Sequence, residues 1–214
     1  MSKREKIGIM IIFGILAGKG TMHSQDPEYA EGHHRWSYSG KAGPGKWASL
    51  EPDFFECKDG QHQSPINIHA LAATKSNMPK LEFHYNLTPL TIIDNGHTIE
   101  ITYPHGSTLT IDGKSYELKQ FHFHHPSEEH IDGHRFDMVA HMVHEDAAEN
   151  IVVVAVLLKV GSSNPLIDTL WKNIPAAKQT PLTPPRVFID LNNLLPDSLG
   201  YYTFPGSLTT PPCT

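Results

Sequence analysis

Gln120-Phe121-His122-Phe123-His124 alternates histidine with phenylalanine. Successive side chains of a strand point to opposite faces, so His122 and His124 share one face and Phe121 and Phe123 the other. Downstream, Asp137-Met138-Val139-Ala140-His141-Met142-Val143 alternates in the same way, with His141 and Val143 on one face. Between the two stretches, Pro126 to Gly133 holds Pro, Ser, Asp and Gly and reads as a turn. If the strands are neighbours, three imidazoles converge. Three neutral histidines with an open fourth position are the ligand set of a catalytic zinc site. The plain alternative is a His-rich surface, since the chain has 15 His and both His125 and His130 lie close by. Two histidines on one strand face, each beside an aromatic of the buried type, favour the metal.

Outward from this stretch, 214 residues are enough for one core and one domain. A formal net charge of −6 without a basic run argues against nucleic acid as a partner. At the start, Lys3, Arg4 and Lys6 precede the apolar run Ile7 to Gly18, which is too short to span a bilayer and reads as an export signal. Met22-His23-Ser24 is a poor small-x-small cleavage site, so an uncleaved anchor is the alternative. The expected organisation is a signal peptide over residues 1–24, a flexible polar tail over 25–35 and one domain over 36–214, in the periplasm or secreted. Two cysteines in an exported chain, Cys57 and Cys213, suggest one disulfide, with two unpaired thiols as the alternative. A bridge would close a loop of roughly 157 residues, worth about 5 kcal/mol in chain-entropy terms.

The remaining pattern is mainly β. Leu81–Tyr85, Leu90–Ile93, Thr98–Ile101, Thr108–Ile111 and Tyr116–Leu118 are short, β-branched or aromatic, and separated by Asn, Asp, Gly or Pro. Asp112-Gly113 predicts a hairpin turn. Ile151 to Val160 predicts a buried central strand. Leu50 to Lys58 predicts a helical turn, and Leu166 to Asn173 a short helix with Asn164 as N-cap and Pro165 at its first position. Pro181 to Pro185 is a loop. The expected fold is a single-domain, large, twisted, mostly antiparallel sheet with short peripheral helices.

Several further segments carry a resemblance. Trp36-Ser37-Tyr38, Gly43-Pro44-Gly45-Lys46-Trp47, Gln63-Ser64-Pro65-Ile66-Asn67-Ile68, Asn95-Gly96-His97, Ser127-Glu128, His141-Met142-Val143-His144 and Tyr202-Thr203-Phe204-Pro205-Gly206-Ser207-Leu208-Thr209-Thr210-Pro211-Pro212 follow one another in order. With the histidine motif, the chain resembles an α-class carbonic anhydrase of the bacterial, exported type. The resemblance implies zinc on His122, His124 and His141, and hydration of CO2 to bicarbonate and a proton. It implies Thr209 donating to Glu128, His97 as proton shuttle, and Gln120 as partner of His122. It implies a CO2 pocket of Val143, Val153, Leu208 and Thr210, with Tyr38 ordering water beside His97 and Asn67 lining the cleft. It pairs Cys57 with Cys213 and implies inhibition by sulfonamides and anions. Whether the chain is a monomer or a dimer is not implied.

Two rivals stand beside this. His122-x-His124-x3-Glu128 also fits the first metal motif of cupins, in which the Glu is a ligand, but Tyr116 stands where that motif has Gly. A non-catalytic zinc- or ligand-binding relative is the second. Two departures from the family pattern matter. Val139 replaces a Glu that usually accepts the N–H of the third ligand. The chain ends at Thr214, where family members continue for several strands, so an incomplete domain is expected, with Ile151 to Val160 short of cover at an edge.

Overall fold

The computed structural model describes residues 9–15 and 36–214. Its strands are β1 (Ile9–Ile15), β2 (Asn67–Ile68), β3 (Leu81–His84), β4 (Thr88–Pro89), β5 (Ile92–Asp94), β6 (Ile99–Thr102), β7 (Thr108–Ile111), β8 (Lys114–His124), β9 (His130–Ile131), β10 (His134–Arg135), β11 (Met138–Glu145), β12 (Ile151–Leu158), β13 (Phe188–Ile189) and β14 (Tyr201–Pro205). Its α-helices are α1 (Glu56–Asp59) and α2 (Pro165–Lys172), with short 3-10 turns around Gly40–Phe54 and at Leu191–Leu194.

Among the described residues one sheet of nine strands dominates, in the order β14-β1-β12-β11-β8-β6-β5, with β7 also on β8 and β3 on β7. The long β8 is its axis. On one flank it pairs antiparallel with β11; on the other, Lys114–Glu117 pairs with β7 and Gln120–His122 with β6. The hairpin from β7 to β8 turns at Asp112 and Gly113, both at positive φ (50° and 76°), as a two-residue hairpin turn requires. The sequence expected a short strand at Tyr116–Leu118. It is the front of an 11-residue strand, because β8 has partners along its whole length.

The histidine motif faces one side of this sheet and the phenylalanines the other. Phe121, Met142 and Val154 belong to a large core that α2 closes with Leu166 and Leu170. Asn164 caps α2 as expected, its side-chain oxygen accepting from the N–H groups of Leu166 and Ile167. On the opposite face Val139, Val143 and Val153 join Ile68 and Phe136 in a second apolar cluster, with Leu208 packed against it. β12, buried from Ile151 to Leu157, serves both faces, which explains its unbroken apolar sequence.

Two expectations change. Pro126 to Gly133 is not a plain turn: β9 and β10 form a small hairpin there, and β9 also pairs parallel with β2. Part of the apolar run at the start forms a strand. Ile9–Ile15 lies between β12, to which it is antiparallel, and β14, to which it is parallel. Ile11 is fully buried. The edge expected along Ile151 to Val160 is therefore covered. The rest of the expected leader, the tail 25–35 and the cleavage site lie outside the described residues.

Candidate metal centre

The register across β8 and β11 brings the three histidines together. His141 stands directly opposite His122, and Val139 opposite His124. The ring centroids of His122, His124 and His141 lie 5.0, 5.4 and 4.9 Å apart pairwise. One nitrogen from each lies within 4.8 Å of the others. A bulge between Val143 and His144 shifts the register just past this point, so the pairing that aligns the histidines ends beside them.

One nitrogen of each imidazole faces a protein oxygen, by hydrogen bond in His122 and His141 and at ion-pair distance in His124. His122 Nδ1 lies 2.8 Å from Gln120 Oε1. His124 Nδ1 lies 3.3 Å from Glu128 Oε1. His141 Nε2 lies 3.0 and 3.2 Å from the two oxygens of Glu129. Amide and carboxylate oxygens only accept, so the hydrogen-bonded nitrogens of His122 and His141 carry the protons. The lone pairs then sit on Nε2 of His122 and Nδ1 of His141. His124 Nε2 is buried with no hydrogen-bond partner, an arrangement a native structure tolerates where a ligand belongs.

The electrostatics agree with a cation. Burial and the neighbouring His141 push His122 well below its ordinary pKa and His124 to about 3, so both rings are neutral and able to coordinate. Burial lowers His141 as well, but the charge and hydrogen bond of Glu129 outweigh it and raise it. Burial pushes the Glu128 carboxyl above its ordinary value, against the pull of His141 and a hydrogen bond from Thr209. Three imidazoles and two buried carboxylates fit a divalent ion better than any neutral ligand.

The other expected residues distribute around this centre. Thr209 bonds to Glu128. Val143 faces Val153 across β11 and β12, with Leu208 packed on the same cluster. Tyr38 lies with its ring centroid 6.4 Å from His124 and 6.2 Å from His97. His97 is stacked on Trp36 at 3.9 Å. Asn67 does not bond to the triad: it accepts from the Gly133 N–H and lies 3.4 Å from His69 Nε2. Thr210 accepts from the Cys213 N–H through its carbonyl. Cys57 and Cys213 form the disulfide, and Ser64 and Ser207 exchange two bonds beside it (3.0 and 3.2 Å), so the Thr209–Thr210 loop is anchored from both ends. Glu129 was not anticipated. The signal was present: with Val139 unable to accept a hydrogen bond, another acceptor had to reach His141.

Known proteins resemble the chain along most of its length. A profile of the family described as eukaryotic-type carbonic anhydrase matches residues 42–214. A carbonic anhydrase of Neisseria gonorrhoeae is 43% identical over 188 residues, covering 86% of this chain and 73% of that protein. One from Pectobacterium carotovorum is 41% identical over 179 residues, covering 84% and 72%. The solved α-carbonic anhydrase of Thermovibrio ammonificans, in complex with the inhibitor sulfanilamide, matches with a TM-score of 0.80 at 39% identity, covering 86% of this chain and 80% of that one.

Proposed function

The chain belongs to the eukaryotic-type (α) carbonic anhydrase family, and on that footing we propose that it hydrates CO2 reversibly, with His122, His124 and His141 holding zinc and Glu128, Thr209 and His97 handling protons. The carrying observation is the division of ring nitrogens: Gln120 fixes one nitrogen of His122 and Glu129 one of His141 by hydrogen bonds, and His124 Nε2 is buried without a hydrogen-bond partner, so each ring turns one nitrogen to the metal. When bound, zinc supplies the Lewis acidity that lets water ionise at about pH 7, carbonic anhydrases being the reference case for that figure.

Thr209 gives its hydroxyl proton to Glu128, because a carboxylate only accepts. The Thr209 oxygen can then only accept from the nucleophile, which turns the nucleophile's lone pair toward the carbon of CO2. As the new C–O bond forms, one C=O electron pair moves onto oxygen, and the Thr209 N–H receives that developing charge. Val143, Val153 and Leu208 give the apolar substrate a dry wall, with Thr210 and Asn67 toward the opening. His97 carries the released proton outward past Tyr38. Burial first, then the charge of Lys178, hold its pKa below the ordinary value, so it is a free base at neutral pH. Sulfonamides and inorganic anions, which seek a zinc ion beside a hydroxyl acceptor, are expected inhibitors.

Export to the periplasm or beyond suits this chemistry, supported by the charged and then apolar start and by the bridge between Cys57 and Cys213. Loss of a leader to Ser24 and retention of β1 are mutually exclusive. An intact mass beginning at Met1 would exclude cleavage; one beginning near Gln25 would exclude β1 from the working enzyme.

Stopped-flow CO2 hydration on the zinc-loaded, oxidised chain tests the mechanism. The wild type is expected to be active and sulfonamide-sensitive. Glu128→Gln is expected to keep one zinc per chain and to turn over about 10²-fold more slowly or worse. If zinc leaves that variant instead, Glu128 is a ligand and the assignment fails.

A further inference from the structure

We infer that Glu129 is the positioning residue of the third zinc ligand, in place of the strand neighbour that would ordinarily do this work; the inference rests on the zinc site proposed above. On β8 the acceptor for His122 is Gln120, two residues earlier on the same strand face, at 2.8 Å. The equivalent position on β11 is Val139, fully buried and without a polar atom. His141 is itself 2% exposed, and an imidazole N–H buried without an acceptor is costly. Glu129, 0% exposed, meets that N–H with both carboxylate oxygens, at 3.0 and 3.2 Å.

The backbone holds Glu129 there from both sides. Two residues before it, Ser127 accepts from the Phe136 N–H through its hydroxyl (2.9 Å) and from Arg135 Nε through its carbonyl (2.7 Å). The Ser127 hydroxyl donates in turn to the Glu129 carbonyl at 2.8 Å. One residue after it, the His130 N–H donates to the Ile66 carbonyl, where β9 begins its pairing with β2. A carboxylate clamped between two fixed points aims its charge without ordering entropy at the moment of binding. It also fixes the tautomer of His141, so that Nδ1, 3.9 Å from Glu128 Oε2, is the nitrogen on the metal side. The hairpin β9–β10, which looked like a turn in sequence, is the device that carries this group. Glu128 and Glu129 therefore divide two tasks between adjacent carboxylates: one serves Thr209, the other a ligand.

Zinc affinity measured by chelator competition, together with the imidazole N–H proton resonances of the zinc-loaded protein, tests this. Glu129→Gln keeps the shape and an acceptor oxygen but loses the charge; it is expected to weaken zinc binding about ten-fold, and Glu129→Ala by up to about a hundred-fold. The His141 Nε2–H resonance is expected to move in the first and vanish in the second, while those of His122 and His124 stay. Adding Val139→Glu to Glu129→Gln restores an acceptor two residues before His141 and is expected to recover most of the affinity. If Glu129→Gln binds zinc as tightly as wild type with the His141 signal unmoved, Glu129 has no such role; this isosteric variant decides should the alanine variant unfold. A wild-type chain that binds no zinc would sink the metal centre itself, a different result from wild-type zinc with an indifferent Glu129.

Discussion

At the scale of single residues, chemistry follows from which oxygen each nitrogen meets. His122 and His124 were legible in sequence because a strand's two-residue period places them on one face; His141 joined them only if the strands were neighbours, and Gln120 came from the family resemblance. Glu129 was not legible, because its reach to His141 depends on a hairpin pinned by Ser127 and Ile66, and neither contact leaves a local pattern. His97 offers a test at the same scale. Stacked on Trp36 with Tyr38 beside it, it is within reach of bulk water. Changing it to Ala is expected to cut turnover in weak buffer by up to about 10²-fold, to leave kcat/KM for CO2 unchanged, and to be rescued by added imidazole. Since the pKa of His97 is lowered, the acid limb of kcat should fall below the free-histidine value of about 6.5. A limb at or above that value would remove His97 from the proton path.

At the scale of elements, β11 carries opposite chemistry on its two faces. His141 looks toward the metal centre; His144 is fully buried in the core, its Nε2 2.8 Å from the Tyr85 hydroxyl and its Nδ1 3.3 Å from the Val152 carbonyl. Burial drives the pKa of His144 down to about 4, against weaker upward pulls from backbone bonds. Unfolding returns it to about 6.5. Between those values the unfolded chain binds a proton that the folded chain refuses, so stability is complete above the upper value and declines as pH falls toward the lower. The whole difference is roughly 3 kcal/mol. Urea midpoints between pH 7 and 4.5 should therefore fall less steeply for His144→Gln than for wild type; equal slopes would locate the acid sensitivity elsewhere. The hairpin at Asp112-Gly113, the cap at Asn164 and the buried β12 were all readable, because each is set by residues within a few positions. The sharing of β8 between β6 and β7 was not, since strand pairing across the sheet has no local code.

At the scale of the whole molecule, two long connections hold the site in place. The bridge from Cys57 to Cys213 spans 156 residues of sequence, and a loop of that length is worth about 5 kcal/mol by restricting the unfolded chain. Replacing both cysteines by Ala is expected to lower the urea midpoint and, by releasing the segment after Thr210, to slow hydration more than it weakens zinc binding. An unchanged midpoint would mean that Ser64 and Ser207 suffice as the anchor. The other connection is β1, whose neighbours β12 and β14 come late in the chain. On a ribosome, Ile9–Ile15 emerges first and waits on the order of ten seconds for the strands that enclose it. During that wait it is a bare apolar peptide, the kind of segment that chaperones and targeting factors bind. If the export proposed above holds, delivery and folding compete for the same seven residues, and the speed of translation sets the odds between them.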